Sequence, residues 1–140
     1  MEQDINSKIL ETFDIEQKDL REYSPLTLAF IGDGVYEVVI RSIVVGEGNA
    51  TPSKLHRYSA HYVKAASQVK MYKAVEDILT EEEAEIFRRG RNAKSNTKAK
   101  NATTIDYRIA TGYEALIGYL YLKGQNNRIL ELVGTGIKDF

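Results

Sequence analysis

Two stretches of the chain limit its fold more than any other feature. They are LTLAFIGDGVYEVVIR, residues 26–41, and RIATGYEALIGYLYL, residues 108–122. Both are long and apolar, and each carries an acid in its middle with glycine close by: Asp33 between Gly32 and Gly34, and Glu114 between Gly112 and Gly118. An acid in apolar surroundings is costly without a partner, and each interior glycine weakens a helix by about 1 kcal/mol. Glycine offsets that cost where two backbones must approach closely. Two such helices packed on each other place two carboxylates in one partly dry site. Like charges there raise the pKa of one acid unless a cation lies between them. Mg²⁺ suits that place, because it takes oxygen ligands, keeps several waters and needs only one or two protein carboxylates. Two plainer readings stand beside this one. Residues 35–40 (VYEVVI) are rich in β-formers, and Asp33-Gly34 is a hairpin turn pair. Glu114, for its part, reads equally as an acid that reaches solvent at the edge of its helix.

The 140 residues suit one domain with one core. The absence of Cys excludes a disulfide framework and a Cys-ligated zinc or iron–sulfur site, and favours an intracellular home. Residues 1–15 lack the basic start and apolar block of a secretory signal. Asp33, Glu37 and Arg41 interrupt the longest apolar run, so it does not read as a membrane span. The expectation is a cytoplasmic, single-domain protein without membrane association. A net charge of −1 conceals segregation. Residues 48–75 contain no acid but carry Lys54, Arg57, Lys64, Lys70 and Lys73. Residues 86–105 also contain none and carry Arg88, Arg89, Arg91, Lys94, Lys98 and Lys100. More than half of the 19 basic residues lie in those two stretches. A near-neutral chain can thereby present a phosphate-binding face; solvated helix faces are the plainer reading.

Ser24-Pro25 reads as an N-cap followed by Pro at the first helical position, and the helix it opens runs to Val45, before Gly46-Glu47-Gly48. If helical throughout, it spans about 33 Å. Thr51-Pro52 opens a second helix, along which Leu55, Tyr58, Tyr62, Ala65, Val69 and Tyr72 form one apolar stripe. Thr80 and Glu83 form a capping box for a third, with Arg88 and Arg89 near its end, where cations suit the dipole. Residues 92–103 read as a mobile loop. A fourth helix is expected from about Thr104 to Lys123, ending at Gly124. A fifth follows from about Gln125 to Leu132 or beyond, and a short one lies near Asp4–Thr12. The fold class is an all-α bundle of five to seven helices, with few or no strands. His56 and His61 lack a metal-ligand spacing and read as surface or packing residues.

LAFIGDGVYEVVI resembles the signature of the ribonuclease III family, a Phe-Leu-Gly-Asp core within a helix, and YEALIGYLYL resembles that family's second acidic motif. The likeness extends through RRGRNAKS and covers nearly the whole chain. It is strongest to members that consist of a stand-alone catalytic domain. Residues 1–140 are accordingly expected to be one such domain, with no room for a double-stranded-RNA-binding domain. The resemblance implies an all-α homodimeric endonuclease that hydrolyses double-stranded RNA with Mg²⁺. It assigns Asp33 and Glu114 as the catalytic, metal-binding acids and Phe30 as an aromatic at the dimer interface. Two positions depart from the family: Ala29 stands where the signature has Glu, and Thr111 where the second motif has Asp. Glu37, one turn after Asp33, is a candidate substitute ligand, directly or through water. RNA binding is expected of Arg88, Arg89, Arg91, Asn92, Lys94, Lys98 and Lys100, assisted by basic residues such as Lys54, Arg57 or Lys64. The resemblance also implies maturation of ribosomal RNA precursors, of the large subunit, in a bacterium. Two other classes fit part of the pattern. One is a non-catalytic RNA-binding or ribosome-associated dimer of the same fold, which the two departures would suit. The other is a helical protein-interaction adaptor.

Overall fold

Local signals set where the helices begin. The structure, a computed structural model, describes residues 4–93 and 103–140. Seven α-helices follow in chain order: α1 (Ile5–Thr12), α2 (Pro25–Gly46), α3 (Pro52–Val63), α4 (Ala65–Val75), α5 (Glu81–Asn92), α6 (Thr104–Leu122) and α7 (Asn126–Ile137). Asp4, Ser24, Thr51, Thr80 and Thr103 each accept a backbone N–H with the side chain, which satisfies one of the orphan donors of a first turn. At Thr80 the capping box is complete, with Glu83 accepting the Thr80 N–H in return. α6 closes at Lys123, and Gly124 takes φ +81°, a left-handed conformation that favours glycine. The fold is all-α, with no strand among the described residues. α2 runs unbroken through Asp33-Gly34, so the hairpin reading is wrong: residues 35–40 are helical. The loop expected over residues 92–103 lies mostly outside the described residues, as do Lys94, Lys98 and Lys100.

The helix expected to run from Thr51 past Tyr72 is two helices. Lys64 is extended, with φ −68° and ψ 157°, and ends α3 as it starts α4. Neither Pro nor Gly marks the break. Instead the Ser67 hydroxyl donates to the His61 carbonyl at 2.6 Å, and the Ser67 and Gln68 N–H groups donate to the Lys64 carbonyl at 3.0 and 3.1 Å. The cause is tertiary. α3 packs along α2, whereas α4 packs against α6 and α7, and one straight rod does not serve both. Tyr58, placed on the expected stripe, stays 45% exposed.

α6 is the axis of the bundle. Residues 110–120 are buried apart from half-buried Glu114, and α2, α5 and α4 wrap around them. The main core joins Tyr36, Ile40 and Val44 of α2 to Met71 and Val75 of α4, with Leu116, Ile117 and Leu120 of α6 and Leu132 of α7. A smaller cluster of Leu28, Ala29, Ile86, Ala115 and Tyr119 lies under α5. The acidic start of α5 is anchored by Arg128, which donates to Glu83 and to the Ile78 carbonyl. Its basic end is left facing solvent.

Candidate active site

The glycines explain the site. A Cβ on Gly32 would lie 1.8 Å from the carbonyl oxygen of Glu114, and one on Gly118 would lie 2.0 Å from that of Leu28. Leu28 and Gly32 are one turn apart on α2, as are Glu114 and Gly118 on α6. The two backbones therefore touch at two successive turns, which no larger residue permits. Asp33 follows the first contact directly, and Glu114 forms part of it. The crossing that requires the glycine also brings the two acids together. Gly112 and Gly90 make a second close approach, between α6 and α5. Gly34 has open space around a built Cβ and takes no part in either crossing.

Asp33 is exposed and Glu114 half-buried, and the two carboxyl groups are near enough for Asp33 to raise the pKa of Glu114. Burial, followed by the hydrogen bond to Asp33 and its charge, pushes Glu114 up to about 8. Two neighbouring carboxylates do not both ionise readily unless a cation lies between them. Gln68 acts in the opposite direction. Its amide Nε2 donates to Oε2 of Glu114 at 3.4 Å, which favours the ionised form. The Tyr36 hydroxyl donates to the Tyr62 carbonyl at 2.7 Å, while its ring packs edge-on against Tyr113 at 5.5 Å, closing the core beneath the pair. The donor set is all oxygen, and one member, Asp33, faces solvent. That set fits a hard cation such as Mg²⁺.

The positions that depart from the family are packed interior. Ala29 is buried in the cluster beneath α5. Thr111 is buried too, and its hydroxyl donates to the Tyr107 carbonyl at 2.9 Å. Glu37 accepts from Arg41 Nε at 2.9 Å. Among the described residues no cluster of three His, Asp or Glu side chains forms around a metal-sized space. Arg88, Arg91 and Asn92 are exposed at the end of α5, and Arg89 is half-buried. Arg88 pairs with Glu85, and Arg91 donates to the Asn92 side chain. Lys54, Arg57 and Lys64 are exposed on and beside α3. Phe30 is 81% exposed on α2. His56 and His61 are also exposed, and the His61 ring packs edge-on against Tyr62 and Phe140. Sequence reasoning missed Gln68. The available signal was a polar residue on the helical repeat of Ala65, Val69 and Tyr72, where a core face calls for an apolar one.

Residues 26–125 match the ribonuclease III domain. The chain belongs to the ribonuclease III domain family, an all-α class of endoribonuclease whose two acidic motifs here meet at one helix crossing. Its relatives place it in the Mini-ribonuclease 3 branch. It is 46% identical over 118 residues to Mini-ribonuclease 3 of Clostridium tetani, covering 84% of this chain and 78% of that one. It is 46% identical over 123 residues to the Mini-ribonuclease 3 of Enterococcus faecalis, covering 86% and 93%. The crystal structure of a Fusobacterium nucleatum protein, 35% identical, matches the fold with a TM-score of 0.77 over 88% of this chain and 98% of that one. Membership of a nuclease branch sets aside the non-catalytic and adaptor readings.

Proposed function

We propose that this chain, as a homodimer, hydrolyses phosphodiester bonds in double-stranded RNA with Mg²⁺, that residues 1–140 form one catalytic domain, and that its substrate is a precursor of large-subunit ribosomal RNA. The observation that carries the reading is the meeting of Asp33 and Glu114 at the α2–α6 crossing in a chain of this family. These two carboxylates would hold the cation. Held by these residues, Mg²⁺ would supply acidity to a water and relief of charge on the phosphoryl and leaving oxygens. The tight crossing fixes the separation of the acids, and the exposure of Asp33 leaves the pair open to a phosphodiester.

Duplex RNA offers a deep major groove closed to side chains, so its grip comes from backbone, 2′-hydroxyl and shape contacts. Arg88, Arg89, Arg91 and Asn92 at the end of α5 would supply that grip, continued by Lys94, Lys98 and Lys100. Lys54, Arg57 and Lys64 form a second basic surface. Dimerisation draws support from α2. Phe30 is exposed on α2, and Ile31, Val35 and Val38 of the same helix line, with Tyr121 and Leu130, an apolar cavity of about 390 Å³. An exposed aromatic and an apolar cavity carried by one helix suit a two-fold interface in which α2 of each subunit meets the other.

The test is cleavage of a long RNA duplex. Products that appear with Mg²⁺ and disappear with EDTA support the reading; no cleavage under either condition rejects it. The choice of substrate is tested in cells that lack the protein, where extended large-subunit ribosomal RNA ends should accumulate.

A further inference from the structure

A third helix reaches the acid pair. Gln68 of α4 is only 2% exposed, and its Nε2 donates to Oε2 of Glu114 at 3.4 Å. Met71 and Val75, on the same face of α4, belong to the main core. A polar amide in that row costs free energy unless its hydrogen bonds are made. Its backbone is also held in place, because the break at Lys64 starts α4 and the Gln68 N–H donates to the Lys64 carbonyl.

We propose that Gln68 is a positioning residue for Glu114: by holding one carboxylate oxygen from the core side, it sets how the other oxygen is presented to Asp33 and to a divalent cation. The proposal rests on the reading of Asp33 and Glu114 as a metal-holding pair. A glutamate has three rotatable bonds, so the place of its outer end is set by the groups it touches. With no third His, Asp or Glu joining the pair among the described residues, the orientation of each acid matters more than in a richer donor set. Ala29 carries no side-chain oxygen, and Thr111 is packed inside with its hydroxyl donating to the Tyr107 carbonyl. An amide suits the task better than a lysine. It donates to an ionised or a protonated carboxyl alike, and it adds no charge that would compete with the cation. Partners of this kind, one bond behind a ligand, typically change metal affinity or activity by about 10- to 100-fold when removed.

Gln68→Met keeps the length and bulk of the side chain and removes the donor. Mn²⁺ affinity of the RNA-free protein, followed by electron paramagnetic resonance, should fall by about 10- to 100-fold. kcat on duplex RNA at subsaturating metal should fall by a similar factor, with KM for RNA and RNA affinity in EDTA unchanged. A measurement on the wild-type protein needs no variant to fold. The side-chain amide signals of Gln68 in a ¹⁵N NMR spectrum should move on addition of Mg²⁺, with the midpoint seen at the Asp33 backbone amide. A Met variant with wild-type Mn²⁺ affinity would overturn the proposal, as would Gln68 signals that stay still while those of Asp33 move. Wild-type protein that neither binds Mn²⁺ nor cleaves duplex RNA would instead remove the nuclease reading beneath it, and the proposal with it.

Discussion

Asp33 and Glu114 lie side by side yet differ in surroundings, and that difference governs how each responds to change. Asp33 is exposed and makes no core contact, so Asp33→Asn should keep the fold and the affinity for duplex RNA while cleavage falls to background. Circular dichroism, a binding titration in EDTA and a cleavage assay check the three parts. Glu114 is the pH-sensitive member. Its folded pKa of about 8 stands above the ordinary value of 4.5, so the folded metal-free protein binds more protons than the unfolded chain between those two values. That contribution to stability is fully present below pH 4.5 and is lost as pH rises through about 8. Urea denaturation in EDTA should therefore show stability falling across that window, and Glu114→Gln should flatten the slope. A cation displaces the proton, so Mg²⁺ affinity should rise with pH over the same range.

At the level of elements, the crossing of α2 and α6 is the part that tolerates least. A methyl on Gly32 must displace the backbone of Glu114 rather than the end of a flexible side chain. Gly32→Ala should destabilise the fold by about 1–3 kcal/mol or more and separate the acids as well. Gly134→Ala, in α7, is the control: its Cβ meets nothing within 4 Å, and helix propensity favours it by up to about 1 kcal/mol. Thermal melts of the two variants should move in opposite directions. Most element starts were legible in the sequence because a cap is local: Ser24, Thr51 and Thr80 act on N–H groups three residues away. The break at Lys64 was not legible. It exists because α3 and α4 follow different neighbours, and the apolar stripe over residues 55–72 is the same whether the helix is straight or bent.

At the level of the whole molecule, the exposed apolar face of α2 and the basic end of α5 point to two kinds of partner. Phe30→Lys should leave the monomer fold intact, since the ring touches solvent, and should shift sedimentation from dimer to monomer. Duplex RNA affinity should fall with salt, by roughly 0.9 log unit per log unit of salt for each phosphate neutralised if RNA follows the DNA rule. Arg91→Ala should reduce that slope by about one contact. A slope near zero would remove the basic faces from the RNA grip. Periodicity, capping and composition, all read over a few residues, were enough to determine an all-α chain, most of its helix starts, its two isolated acids and its segregated charge. Tertiary structure alone decided that Gly32 and Gly118 are the points of contact and that Asp33 therefore meets Glu114. It also placed Gln68 behind the pair, Ala29 and Thr111 inside the packing, and Glu37 on Arg41. The reason is physical: a helix face is written in neighbouring residues, whereas the meeting of two faces depends on residues far apart in sequence and on how closely their backbones can approach.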